Sequence, residues 1–218
     1  MKIVAFTPSR LNSQRVPQKN IKMLGRMPLV NYALQTMSKI GLIDDVVIFA
    51  SEPSICGYIK EGIKYSYLKR PASLDTQEAK VQDLIREFLK LCDADIIAMF
   101  HITSPFLRAE TILECLQKVK SEGYNSAFTA FKVDRRCWFK GMPLNFSVDD
   151  KIEQYQEPVI VEHSLYVFKR EVFETTGQRI SSGPYIKVID HFEGHDIDTP
   201  EDFRIAELIV NTGLFELK

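Results

Sequence analysis

The sequence predicts an α/β protein built on a mainly parallel sheet, and three observations lead there. Short apolar runs recur at residues 2–6, 45–51, 95–101 and 126–133 without polar alternation, as in strands covered on both faces. Segments with helical spacing stand between them. A turn-rich, cationic stretch follows the first strand, where open α/β sheets bind ligands.

The first strand spans residues 2–6. Pro28 then opens a helix whose apolar positions Leu29, Ala33, Leu34, Met37 and Ile40 share one face, with Gly41 closing it. After the second strand (45–51), Val81, Leu84, Ile85, Phe88 and Leu89 mark an amphipathic helix over 81–92. The third strand (95–101) precedes a helix over 109–123, and the fourth strand covers 126–133. Composition then changes. Residues 134–195 show no clean helix, only short strands near 164–169 and 185–189 among turns. That reads as an insertion covering one face, the acceptor site included, or reaching a partner. Order returns at residue 199, where Thr199 caps a helix, Pro200 takes its first turn and Asp202 supports its N-terminus.

The 218 residues fit a single domain, 1–218. A net charge of −1 argues against a nucleic-acid or membrane-surface binder. No apolar run approaches the ~20 residues of a membrane helix, and the N-terminus lacks a signal-peptide cleavage site. Cys56, Cys92, Cys115 and Cys137 form no CxxC and no Cys/His cluster. Idle thiols and a cytoplasmic location are expected.

Three segments at strand ends can carry chemistry. In residues 7–20, TPSRLNSQRVPQKN, Arg10, Arg15 and Lys19 supply charge, and Ser9, Asn12, Ser13, Gln14 and Asn20 supply neutral donors. Pro8 and Pro17 restrict the loop before a ligand arrives. Such a set suits a triphosphate, although a solvated loop has the same composition. Neither a P-loop nor a GxGxxG is present. The second segment, FHITSPFLR, offers His101, Thr103, Ser104 and Arg108; His101 can bond substrate or be a structural hydrogen-bonder. No G-x-S-x-G elbow supports a hydrolase. The third, HDIDTPED, places Asp196 and Asp198 either side of an apolar residue, on one side of extended backbone. Two hard oxygen ligands suit magnesium, with helix N-terminal decoration as the rival reading. Together these point to phosphoryl or nucleotidyl transfer.

Residues 7–34 resemble the opening of the CMP-sialic acid synthetases (acylneuraminate cytidylyltransferases). The matching positions are Pro8, Arg10, Ser13, Arg15, Pro17, Lys19, Asn20, Gly25, Pro28 and Leu29. TSPFLR, the KRP at 69–71 and DIDTPEDF resemble further elements of that family. The resemblance implies a nucleotide-diphosphosugar-transferase-like (Rossmann-like) fold, dimeric through the late insertion. It also implies magnesium-dependent joining of CTP to an acidic sugar, with release of pyrophosphate. Carried over, Pro8, Ser9, Arg10, Arg15, Lys19, Asn20 and Arg70 lie at the nucleotide, and Asp196 and Asp198 hold the metal. Arg10, Lys19 and Asp198 carry the catalysis. His101, Thr103, Ser104, Glu162, His163 and Tyr166 would face the sugar. The sequence departs from the family there: His101 replaces a Gln, Glu162 and His163 replace Asn-Gly, and SLDTQEAK replaces a Leu-Ala-x-Asp element. The expected acceptor is therefore a nonulosonic acid of sialic, legionaminic or pseudaminic type. The alternatives are another acidic acceptor, a nucleotide-sugar-dependent glycosyltransferase, or a noncatalytic relative.

Overall fold

The computed structural model describes residues 1–13, 15–76, 78–148 and 158–214. Strand β1 (Ile3–Ser9) is followed by a tight hairpin of β2 (Met23–Leu24) and β3 (Met27–Pro28), then helix α1 (Leu29–Ser38). Next come β4 (Asp45–Ala50), β5 (Ser66–Lys69), α2 (Val81–Leu91), β6 (Ile96–Phe100), α3 (Ala109–Ser121) and β7 (Ser126–Val133). A small hairpin, β8 (Trp138–Phe139) with β9 (Met142–Pro143), leads toward β10 (Val159–Lys169), α4 (Arg170–Thr176), β11 (Tyr185–Val188) and α5 (Pro200–Asn211).

Seven strands form one sheet in the order β11-β7-β10-β6-β1-β4-β5. β1 pairs in parallel with β4 and β6, and β4–β5 and β11–β7 are also parallel. β10 alone among these pairings runs antiparallel, to both β6 and β7. The sheet is mainly parallel, as its uninterrupted apolar strands predict.

Both faces are covered, and β1 shows how. Ile3 and Ala5 join the core beneath α1, α3 and α5, while Val4 and Phe6 join the core against α2 and α4. On the second face Phe6 stacks on Phe88 with centroids 4.0 Å apart, and Phe49 meets Phe88 edge-on at 5.5 Å. A strand buried on both sides favours apolar residues, and in β1 the polar ones, Thr7 and Ser9, come only toward its carboxyl end. The chemistry is thereby confined to the strand ends.

Residues 134–195 differ from the sequence expectation. They include a helix, α4, and contribute two strands, β10 and β11, to the central sheet. Only the part around β8–β9 departs from the sheet, and residues 149–157 lie outside the described residues. At the chain's end the expected cap is present. Asp202 N–H donates to Thr199 Oγ1 at 3.2 Å and Thr199 N–H to Asp202 Oδ2 at 2.7 Å, closing a capping box. Among the described residues no helix is long and apolar enough to cross a membrane.

Candidate active site

The loop after β1 is held closed by its last residue. Asn20 Nδ2 donates to Ser9 Oγ at 3.0 Å and to the Arg10 carbonyl at 2.9 Å, joining the loop's exit to its entrance. Val16 is buried and pins the middle. Gln18 takes the left-handed conformation (φ 52°), so the chain turns sharply into the single helical turn Lys19–Ile21. That turn drives Lys19 inward.

Lys19 is 8% exposed, and its Nζ donates to the Ile197 carbonyl at 2.5 Å and lies 3.5 Å from Asp198 Oδ1. Burial lowers the ammonium pKa; Asp198 and Asp196 oppose that by holding the proton on. Arg15, at 65% exposure, reaches the same Asp198 oxygen at 2.9 Å. An ion pair this exposed is worth about 0–1 kcal/mol, so an incoming anion can readily take Arg15 from Asp198.

Asp196 and Asp198 flank Ile197 in the segment before α5. Ile197 between them is fully buried, and its N–H donates to the Thr103 carbonyl at 2.8 Å. Ser104 Oγ donates to Asp196 Oδ1 at 3.2 Å, so the segment after β6 and the segment before α5 are stitched together. Arg108 fastens the same two segments, through its N–H and NH1 to the buried Glu193 at 3.0 and 2.9 Å and through NH1 to Asp190 at 2.8 Å. Glu193 and Asp190 carry no signal in the sequence.

The opposite wall centres on a residue the sequence did not single out. Asp75 accepts from the guanidinium of Arg70, which is only 4% exposed, and from Ser51 Oγ at 2.5 Å. Its carbonyl accepts from Arg10 NH1 at 3.0 Å. Asp75 thus ties together two cations that the sequence reading assigned to the nucleotide. Its only trace in the sequence is that it lies within SLDTQEAK.

Between these walls lies a cleft of about 630 Å³ at the carboxyl ends of β1, β5 and β6. Pro8, Ser9, Arg10, Arg15, Lys19, Asn20, Arg70, His101 and Thr103 all line it. Leu74, Thr76 and Ala79 from the segment leading into α2, and Leu84 of α2 itself, add an unforeseen wall. Ser104, Asp196, Asp198, Glu162, His163 and Tyr166 are not among its lining residues. The aspartates border it through Arg15 and Lys19.

The residues expected at the sugar lie beyond His101. The Tyr166 ring centroid is 5.9 Å from that of His101. Burial, then the charge of Arg179 and the neighbouring His163, lower the His101 pKa to about 4, so the ring is neutral at pH 7. Tyr166 O–H donates to Glu162 Oε1 at 2.5 Å, and Arg179 NH2 donates to the same oxygen at 2.9 Å. The Arg179 guanidinium lies 3.3 Å from the Tyr166 ring centroid. His163 instead faces the interior, hydrogen-bonded to Ser164 Oγ at 2.8 Å and edge-on to Phe131. Gly194 permits that packing, because a Cβ there would come within 2.2 Å of the Phe131 ring.

Asp196 and Asp198 present hard carboxylate oxygens as candidate metal ligands. Among the described residues no group of three or more His, Cys, Asp or Glu side chains forms a ready-made cage. A carboxylate pair of hard oxygens beside a polyanion cleft suits magnesium, which completes its sphere with water and substrate phosphate. The residues fit that ion.

A doubly covered, mainly parallel sheet with a polycationic cleft at its carboxyl edge defines an α/β protein whose cleft suits a polyanionic ligand. A family model described as Cytidylyltransferase matches residues 4–207, and the chain belongs to this family. It is similar to N-acylneuraminate cytidylyltransferase A of Danio rerio, 24% identical over 217 residues that cover 94% of this chain and 50% of that one. It is also similar to the CMP-N,N'-diacetyllegionaminic acid synthase of Legionella pneumophila, 23% identical over 224 residues, covering 96% and 97% of the two chains. The chain spans about half the length of the first of these curated relatives, at 50%. A solved CMP:2-keto-3-deoxy-manno-octonic acid synthetase complexed with CTP shares the fold, with a TM-score of 0.71, 15% identity and coverage of 98% and 100%.

Proposed function

We propose that this protein transfers the cytidylyl group of CTP to an acidic sugar of nonulosonic type, releasing pyrophosphate. The observation that carries this reading is the convergence of Arg15 and Lys19 on Asp198 at the edge of the 630 Å³ cleft. Two phosphate-binding cations and two metal-type carboxylates already share one place.

In this reading the cleft receives CTP with its triphosphate along the loop. Arg10 and Lys19 grip the phosphate oxygens, Arg15 leaves Asp198 to assist, and Asn20 and Arg70 lie toward the nucleoside. The acceptor hydroxyl attacks the α-phosphorus. A new oxygen–phosphorus bond forms, the bond to the β-phosphate oxygen breaks, and pyrophosphate departs as the hydroxyl proton passes to water. Asp196 and Asp198 would hold a magnesium ion, which neutralises charge on the phosphates when bound. Lys19 stabilises the same charge from a buried position, where an ammonium interacts more strongly than in water.

A homodimer belongs to the same reading. Trp138, Phe139 and Met142 on β8–β9 are exposed apolar side chains, at a place where a second copy can cover them. A cytoplasmic location follows if the product feeds surface polysaccharide or glycoprotein assembly.

The test incubates protein, CTP, magnesium and a panel of nonulosonic acids, and measures pyrophosphate. Stoichiometric pyrophosphate with one acid supports the reading. No product with any acid, while ATP, GTP or UTP react with another sugar, overturns it. A nucleotide-sugar glycosyltransferase would release no pyrophosphate from a free triphosphate.

A further inference from the structure

An acid accepted next to a triphosphate brings a second negative charge into the site, and that charge needs its own cation. In the proposed reading the cations of the phosphate wall serve the triphosphate; in the ligand-free protein Arg15 and Lys19 pair with Asp198, Arg70 pairs with Asp75, and Arg10 donates to the Asp75 carbonyl. On the far side of His101 stands Arg179, in the connection between α4 and β11.

Arg179 is poorly supplied with acceptors for so enclosed a guanidinium. Its side chain is 17% exposed. Among the described residues, NH2 donates to Glu162 Oε1 at 2.9 Å, while NH1 meets the Met99 thioether at 3.9 Å, a weak acceptor. The guanidinium lies over the Tyr166 ring at 3.3 Å, which fixes its plane and leaves its N–H edges to be used sideways. Glu162 has the opposite character. At 44% side-chain exposure it is free to swing into water, yet it collects both the Arg179 and the Tyr166 donors on one oxygen. The register of β10 shifts here: Glu162 pairs with Ala130 and Tyr166 with Phe128, so four residues of β10 advance against two of β7. The extra length pushes this stretch out of the regular ladder.

We propose that Arg179, backed by Tyr166, binds the carboxylate of the acceptor acid, and that Glu162 occupies its place in the ligand-free protein. This rests on the cytidylyl-transfer reading above. The acid displaces the Glu162 carboxylate and takes over its two donors, so one carboxylate is exchanged for another. The neutral His101 ring, which also lines the cleft, separates this carboxylate from the triphosphate. A neutral sugar would leave the Arg179–Glu162 pair in place and gain nothing from it.

The experiment measures pyrophosphate release with CTP, magnesium and four acids (N-acetylneuraminic, legionaminic, pseudaminic and 3-deoxy-manno-octulosonic), each beside its C1 carboxamide. Arg179→Gln is expected to raise the KM for the acid by about 10- to 100-fold, the worth of a charge-assisted hydrogen bond. It should leave the KM for CTP within about twofold and abolish the preference for acid over amide. Arg179→Lys should restore part of both. Glu162→Gln removes the competing carboxylate and should lower the KM for the acid; a purely structural ion pair predicts no such gain. Should Arg179→Gln fail to fold, the Glu162→Gln and Arg179→Lys results decide alone. An Arg179→Gln enzyme with wild-type KM and acid preference overturns this assignment and leaves cytidylyl transfer standing. A wild-type enzyme that accepts no acid overturns both.

Discussion

On the phosphate wall, Lys19 and Arg70 are buried and Asp75 is half-buried, with Lys19 held by the Ile197 carbonyl and Asp198, and Arg70 by Asp75. On the acceptor wall, Glu162 is largely exposed, β10 shifts register beside it, and Arg179 reaches in from a connection between elements. The first wall is organised before any ligand arrives; the second is held by one exchangeable ion pair. A group common to every substrate of an enzyme can be met by rigid charge, whereas one that varies is better met by groups able to change partners. Under the proposed function, this contrast would let phosphate recognition stay constant while acceptor choice varies.

The sharpest way to break this contrast is Asp75→Ala. Removing the carboxylate leaves a buried Arg70 unpaired, and breaking such a pair costs about 3–5 kcal/mol. Urea unfolding should show that loss, with a raised KM for CTP and little change for the acceptor. A loss under about 1 kcal/mol would mean the phosphate wall is no more rigid than the other. Lys19→Ala comes next. Turnover should fall about 10²-fold or more, equivalent to about 2.7 kcal/mol, measured as kcat for pyrophosphate release.

His101, where the walls meet, gives a pH prediction. Its pKa in the folded protein is lowered to about 4, against an ordinary 6.5. The unfolded chain therefore takes up a proton first as pH falls. Stability from this group is fully present above pH 6.5 and drains away toward pH 4. The interval corresponds to about 3 kcal/mol at most, and about 2 after allowing for partial exposure. His163, also lowered by burial, acts in the same direction. Urea titrations at pH 7 and pH 4.5 should show a smaller loss for His101→Gln than for wild type. The smallest effect belongs to Arg15→Ala, which should change stability by under about 1 kcal/mol because the pair is exposed. In the absence of CTP it should nonetheless tighten Mn²⁺ binding, read by electron paramagnetic resonance, since one of two cations competing for Asp198 is gone. Unchanged Mn²⁺ affinity would mean that Arg15 does not guard that carboxylate.

The same contrast explains what could be read from the sequence. The strands over 2–6, 45–51, 95–101 and 126–133 are buried on both faces, so their apolar runs announce them, and the loop residues lie close together in the chain. β10 was harder to see. Its first half carries Glu162 and exposed apolar residues and its second half is fully buried, so no single period describes it. α4 has seven residues, too few to establish helical spacing. Asp75 and Arg179 act through partners set by the tertiary fold, and a lone acid or arginine in a polar segment has no local signature. Asp196 and Asp198 were legible because the buried Ile197 between them forces both to the same side.

The antiparallel strand inside the sheet has a temporal consequence. β10 must pass between β6 and β7, whose residues are synthesised first. A chain emerging from the ribosome can complete the four-strand unit β6-β1-β4-β5, and with it most of the nucleotide cleft, well before residues 159–169 appear. During that interval the open edge of β6 is a template for mispairing, with β7 or with another chain. Translation speed across residues 134–169 thus bears on the yield of native protein, and Ile197 and Asp198, which hold Lys19, arrive only after β10.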